Sequence, residues 1–383
     1  MYILKYVFLA FGFTNAFRPV NNLLLKRPVN TSLRNLNTSS QDIKITAFQT
    51  TEKKRNSFKE IFYDKLFIKN GKDLDYPKGG RGLKGEPGVP PSFLRLIRHK
   101  NLLPTFFLSA SGAWISNPDP SVFITPAFCV AATTTLSILS ASMILNDLSD
   151  YDIDKINNPD RPLVTGEVKK THAILYATGL LSIPQLLIPY MNSPSKILTN
   201  IMVLIITLYT PVLKKIPFIK NITCAYVVSF SVIYSGIANG PLESQRSAIL
   251  SLVSTFLFLG SLYNELLLDI TDVDGDTQNN INTIPVLFGK ENTWRLAKGL
   301  LVLNRIFNMV IVSVLYKVIY SIPVFFIFRY FLNDIDGVKA SGYSKKNIIN
   351  VLSKTQIPMV MVIVYYGLLS WLGGNPYINH IIL

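Results

Sequence analysis

From Leu102 onward the chain reads as a succession of apolar stretches, each long enough, or nearly so, to cross a bilayer. A spanning helix needs about 20 predominantly apolar residues. The candidate segments are 102–117, 122–145, 171–190, 197–213, 222–239, 247–268, 299–315, 318–332 and 356–373. Arg305, Lys317 and Arg329 interrupt the seventh and eighth, so the count stands at eight or nine. Stretches of this length specify helices. The expected fold class is all-α, a multi-pass transmembrane bundle of about nine helices. Composition agrees: only 16% of the 383 residues are charged, against about 25% in a soluble domain. A water-facing globule and a disordered chain are both excluded on that ground.

The net charge of +15 would suggest nucleic acid in a soluble protein. In a membrane chain it reflects basic loops and a basic targeting arm, and no nucleic-acid partner is expected. One set of loops carries Lys155, Arg161, Lys169, Lys170, Lys214, Lys215, Lys220, Lys290, Arg295, Lys298, Lys339, Lys345, Lys346 and Lys354; the opposite set carries only Lys196, Arg246 and Lys317. That asymmetry places the first set on the cytosol-like face, stroma or matrix in an organelle. The two cysteines, Cys129 and Cys224, sit in apolar runs and suggest neither a disulfide framework nor a zinc site.

The amino terminus has the composition of an address. Residues 1–16 are signal-like, with Lys5 before a short apolar core and small residues near Ala16. Residues 17–41 are transit-like: Arg18, Lys26, Arg27 and Arg34 among Asn, Ser and Thr, with no acid before Asp42. A hydrophobic signal followed by Phe17 and a basic tract resembles the bipartite plastid presequence of algae with secondary plastids. A plastid membrane is the expected location, with the mitochondrial inner membrane as the alternative. Residues 42–92, including PKGGRGLKGEPGVPP, read as a polar flexible linker to a membrane domain at 93–383.

Acid is concentrated in two places. Residues 147–160 and 265–276 hold ten of the 23 carboxylates, each cluster directly after an apolar span and on the basic-loop face. Asp147, Asp150 and Asp154 are spaced i, i+3 and i+7, and Asp269, Asp272 and Asp276 repeat that spacing. At about 100° per residue each set shares one helix face. Glu265, one turn earlier, joins the second set; Asp152 and Asp274 point elsewhere. Such rows repel unless a cation meets them. Carboxylates without nearby His or Cys suit Mg²⁺, which is typically shared between one or two carboxylates and a phosphate. Two facing sets would hold a diphosphate through metal ions, with Arg161 and one of Lys214, Lys215 and Lys220 as further phosphate ligands. An acidic loop and the orientation rule would account for either feature taken singly; matched spacing in two clusters is harder to dismiss.

These residues resemble the UbiA superfamily of intramembrane prenyltransferases. Asn146, Asp147, Asp150 and Asp154 match the family's NDxxDxxxD pattern; Asp272 and Asp276 match its DxxxD pattern, with Asp269 extending it. The stretches RLIRHKN (95–101) and TIPVLFGK (283–290) are also similar. The family's YxxxK element corresponds to Tyr209 and, one residue late, Lys214. The resemblance implies a nine-helix bundle around a cavity capped by acidic loops. It also implies Mg²⁺-dependent transfer of an isoprenyl group (geranylgeranyl, phytyl or longer) from its diphosphate to an acceptor. That acceptor is expected to be aromatic, a quinone or tocopherol precursor or chlorophyllide. The implied metal ligands are Asp147, Asp150, Asp154, Asp269, Asp272 and Asp276, and the implied substrate contacts Asn101, Asn146, Arg161, Tyr209, Lys214 and Lys215. A terpene cyclase of the same fold, or a carrier using the acids for ions, are the alternatives. Transporters usually place such groups near the midplane, whereas these lie at span ends.

Overall fold

A computed structural model describes residues 91–240, 244–278 and 281–373, and all their regular structure is helical. The expectations for residues 1–41 and for the linker up to residue 90 lie outside the described residues. A short helix α1 (Ser92–Leu96) begins at the end of the expected linker. It is followed by α2 (Leu102–Ser116), α3 (Pro126–Ser149), α4 (Tyr151–Asn157), α5 (Lys170–Leu187) and α6 (Ser193–Tyr209). Then come α7 (Ile219–Ala238), α8 (Ser244–Gln278), α9 (Ile284–Phe288), α10 (Lys290–Leu315), α11 (Ser321–Ala340) and α12 (Lys345–Gly373). Leaving aside α1, α4 and α9, each helix falls on one of the nine apolar segments. Seven are long and apolar enough to cross a membrane, and α6 is a shorter apolar helix.

The helices start where the chain supplies caps. Thr125 accepts from the Phe128 N–H with Pro126 behind it, opening α3. Asn192 accepts from the Ser195 N–H, with Pro194 in the first turn, opening α6. Each cap satisfies a donor that the first turn leaves orphaned, and proline there loses nothing because its missing N–H would be unpaired.

Packing rests on small residues, as expected where lipid tails are as apolar as the side chains. α2 lies against α7, and α8 packs on α7, α10 and α12. At the α2–α7 crossing a Cβ on Gly112 would stand 2.1 Å from the Val232 carbonyl oxygen. Ser116 bridges the same seam, donating to the Gly236 oxygen at 2.7 Å. A buried polar relay ties three further helices together. Tyr366 donates to Asn308 Oδ1 at 2.6 Å, Asn308 to Asn304 at 2.7 Å, and Asn304 to the Phe256 carbonyl at 3.0 Å. In hydrocarbon such side-chain bonds between helices contribute about 0.6 kcal/mol each.

With 35 residues, α8 is about 52 Å long, well beyond the ~30 Å hydrocarbon core. Its carboxyl-terminal part, which carries Asp269 to Asp276, therefore reaches the border on the basic face. α3 ends on that face too, and Asp150 is the junction to α4.

Candidate active site at the membrane border

Asp147 and Asp154 are almost fully buried, each 3% exposed, and burial without partners would be costly. Arg98 donates to Asp147 Oδ1 at 2.8 Å, and Arg161 bonds the same oxygen. Arg161 also lies 3.0 Å from Asp154 Oδ2, while Asn158 donates to Asp154 Oδ1 at 2.9 Å. The helix-face reading holds across the α3–α4 junction, because Asp154 N–H still bonds the Asp150 carbonyl at 2.7 Å. Asp150 faces a different cation. Lys214 grips both its oxygens, at 2.5 and 2.6 Å, and reaches Asn146 Oδ1 at 3.1 Å.

The second cluster is built the same way. Asp269, 4% exposed, accepts from Lys220 at 2.7 Å and from Asn221 at 2.8 Å. Asp276 is half-buried and accepts from Thr283 at 3.1 Å. Asp272 is more open, its side chain 57% exposed and 3.5 Å from Lys345. Glu265 lies within electrostatic reach of the Cys224 thiol, which meets the Tyr209 hydroxyl at 3.2 Å.

The segment Tyr209–Asn221 joins the two clusters. Lys214 is spent on the first, Lys220 and Asn221 on the second, and Tyr209 is within electrostatic reach of both Asp150 and Glu265. Two of the three non-glycine residues with positive φ among the described residues, Arg98 (φ 50) and Phe218 (φ 69), flank this site. Such a conformation costs roughly 1–2 kcal/mol. It is retained here where it aims Arg98 at Asp147 and starts the turn that carries Lys220.

Of the residues expected from the sequence, Asn146, Asp147, Asp150, Asp154, Arg161, Tyr209, Lys214, Asp269 and Asp276 all fall in this region. The lysine left open between Lys214 and Lys215 divides clearly: Lys214 meets the acids, and Lys215 is exposed. Asn101 is exposed at the mouth of α2; its N–H donates to the Arg98 carbonyl at 2.8 Å and its own carbonyl accepts from Thr105 at 2.9 Å. Arg98, Asn158, Asn221 and Cys224 were not singled out. Arg98 lies inside the RLIRHKN stretch, which was a usable signal; Asn221 and Cys224 carry none in a single sequence.

The donors that would meet a metal are all oxygen, the set a hard cation takes. Asp154 Oδ2 is buried without an aligned hydrogen-bond donor, despite its ion pair with Arg161, and so keeps lone pairs to offer. Among the described residues no three His, Cys, Asp or Glu side chains converge on one metal position. Mg²⁺ is usually completed by substrate phosphates and waters and not by an all-protein cage.

A latch borders the site. Glu167 accepts from Ser92 at 2.5 Å, from Thr165 at 3.1 Å and from Arg95, tying α1 to the loop that carries Arg161. Burial pushes the Glu167 carboxyl up, but the Arg95 and Ser92 hydrogen bonds outweigh it and hold it below its ordinary value of 4.5. A carboxyl lowered in the folded state stabilises fully above the unfolded value and loses that contribution as pH falls through the folded one. Thermal unfolding in detergent is therefore expected to show an acid-side loss of stability below pH 4.5 that Glu167→Gln removes. An unchanged acid limb in that variant would refute the latch.

The UbiA prenyltransferase family model matches residues 102–347. The digeranylgeranylglyceryl phosphate synthase of Sulfolobus acidocaldarius is 29% identical over 216 residues, covering 55% of this chain and 74% of its own. That of Sulfurisphaera tokodaii is 30% identical over 206 residues, covering 53% and 73%. Among solved structures, a digeranylgeranylglyceryl phosphate synthase superposes with a TM-score of 0.60 at 24% identity, covering 73% of this chain and 97% of that one. A UbiA homologue from Archaeoglobus fulgidus bound to GPP and Mg²⁺ gives 0.55 at 18% identity, covering 73% and 99%. At these identities the structural likeness shows the fold.

Proposed function

This chain belongs to the UbiA prenyltransferase family, and from that premise we propose that it moves an isoprenyl group from its diphosphate to an acceptor at the Tyr209–Asn221 junction, with Mg²⁺. The observation that carries this reading is the bridging segment itself: one run of chain supplies a cation to each of two aspartate clusters at the membrane border. A long isoprenyl tail belongs in hydrocarbon and its diphosphate in water, so the border is where both are satisfied.

Asp147, Asp150 and Asp154 on one side, and Asp269, Asp272 and Asp276 on the other, would hold the metal. Bound there with the diphosphate, Mg²⁺ supplies Lewis-acid stabilisation of charge on the departing group. Arg98, Arg161, Lys214 and Lys220, which balance the acids in this structure, would turn toward phosphate oxygens. The allylic C–O bond breaks, the carbon bonds to the acceptor, the acceptor gives up a proton and diphosphate leaves. The apolar helices around the site keep water from the electron-poor allylic carbon.

The relatives' product names a glyceryl phosphate bearing two geranylgeranyl groups. That supports a hydroxyl of a prenylated glyceryl phosphate as the acceptor; the aromatic acceptor expected from the sequence is the competing reading. The plastid or mitochondrial address rests on the composition of residues 1–41 and is tested by fusing them to a fluorescent protein.

Purified chain supplied with labelled geranylgeranyl diphosphate and Mg²⁺ is expected to release diphosphate only when an acceptor is present. Geranylgeranylglyceryl phosphate and a panel of aromatic acids distinguish the two acceptor classes. Release without acceptor, with a cyclised hydrocarbon as product, would overturn transferase chemistry. Lys214→Met and Lys220→Met are each expected to raise the diphosphate KM by about 10- to 100-fold, the loss of a charge-assisted hydrogen bond. Lys215→Met should leave it within roughly twofold, as for an exposed charge. Equal effects at all three lysines would argue for general attraction in place of this site.

A further inference from the structure

The two arginines that interrupt the seventh and eighth apolar segments have no part in the site above. Arg305 lies ten residues before Leu315, the end of α10, and Arg329 eight residues after Ser321, the start of α11. At 1.5 Å per residue they are about 15 and 12 Å from the hairpin ends, deep within a ~30 Å core. The turn between them carries Tyr316, Lys317 and Tyr320, residue types that favour the interface.

Both arginines border a lipid-type surface. Val302, Leu303, Ile306, Val310 and Phe326 are exposed there, and so is Arg329. The Arg305 guanidinium stacks over Phe325 at 4.3 Å. Phe325 and Arg329 are i and i+4 on α11 and share a face, so the two cations line one seam. Neither has a carboxylate within 4.0 Å among the described residues. The acids farther along α11, Asp334 and Asp336, are engaged by Lys354 and Lys298.

Two unneutralised guanidiniums on an apolar face are expensive. Charged groups at that depth ordinarily pair or mark a site. We propose that the Arg305–Arg329 seam binds the phosphate of an anionic membrane lipid from the leaflet on the Lys317 side. A guanidinium fork matches phosphate oxygens bidentately. A phosphodiester drawn down beside the hairpin neutralises the pair, while its acyl chains cover Val302, Ile306 and Phe326. Phe325 lies nearer the hairpin turn than Arg329, so Arg305 reaches toward that leaflet, as a snorkelling side chain does. Charge complementarity selects the occupant: a neutral lipid offers no net anion, and a second copy of the chain has no described free acid on this hairpin face.

The test uses the full chain in nanodiscs of phosphatidylcholine alone or mixed with phosphatidylglycerol, with retained lipids counted by native mass spectrometry. The wild-type chain is expected to retain one phosphatidylglycerol in preference to phosphatidylcholine. Arg305→Gln and Arg329→Gln should each weaken retention roughly fivefold, and the double variant should lose the preference with turnover unchanged. Indifference of the wild-type chain to the two lipids overturns the proposal and needs no variant that might misfold. So does an unchanged preference in the double variant, a match by inorganic phosphate added to phosphatidylcholine discs, or a change of oligomeric state without a change in lipid.

Discussion

Asp150→Asn is expected to lower Mg²⁺-dependent diphosphate release by about 10²- to 10³-fold, the scale of removing one preorganised electrostatic group from a reacting centre. The substitution keeps the side chain's shape. It leaves the Asp154 N–H on the residue-150 carbonyl, and Lys214 keeps Asn146, so α3 and α4 should stay in place. What it removes is a negative charge that both holds Lys214 and would hold the metal. Asp276→Asn should act alike from the other cluster. Asp152→Asn is the control: its side chain is 85% exposed and paired with Lys155, so turnover should stay within about twofold. Rates measured with saturating Mg²⁺ and geranylgeranyl diphosphate decide the matter. Full activity in both Asp150→Asn and Asp276→Asn would remove the two-cluster site.

A second large effect is expected at Gly112. A Cβ there would stand 2.1 Å from the Val232 oxygen, 2.9 Å from its carbon and 3.1 Å from the Gly236 nitrogen, all backbone atoms that cannot swing aside. Gly112→Ala must force α2 off α7, at the upper end of the 1–3 kcal/mol typical of overpacking, and Gly112→Leu should not yield folded chain. The contrast at Gly236 is informative. A Cβ there meets the Leu250 methyls at 2.5 and 2.6 Å, the far end of a flexible side chain, so Gly236→Ala should be milder. Gly179 has nothing within 4 Å, and Gly179→Ala should gain a few tenths to about 1 kcal/mol from helix propensity alone. Thermal unfolding of the purified variants ranks the three. A Gly112→Ala chain as stable as wild type would mean that the α2–α7 approach is looser than described.

Much of the site was legible because its chemistry is periodic. Asp147, Asp150 and Asp154, then Asp269, Asp272 and Asp276, repeat one spacing, and helical geometry turns that spacing into a face. The structure keeps Asp147, Asp154 and Asp269 buried on cations, as such a face requires. Asp272 follows the same pattern yet stands largely open beside Lys345. The lysine could not be read, because YTPVLKKIPFIK leaves the helical register: a 3-10 turn at Leu213–Lys215 and the positive φ of Phe218 set which lysine meets which acid.

The sequence by itself determined the helices, their sidedness and the two rows of acid. Each of these follows from local rules: apolar length against bilayer thickness, basic loops on one face, and side chains recurring every helical turn. Only the tertiary structure decided that Arg98 and Arg161 share Asp147, that Lys214 and Lys220 serve opposite clusters, and that Gly112 admits α7 to near contact. Those are pairings between residues far apart along the chain, and they arise from how helices cross, which no periodicity within a single segment encodes.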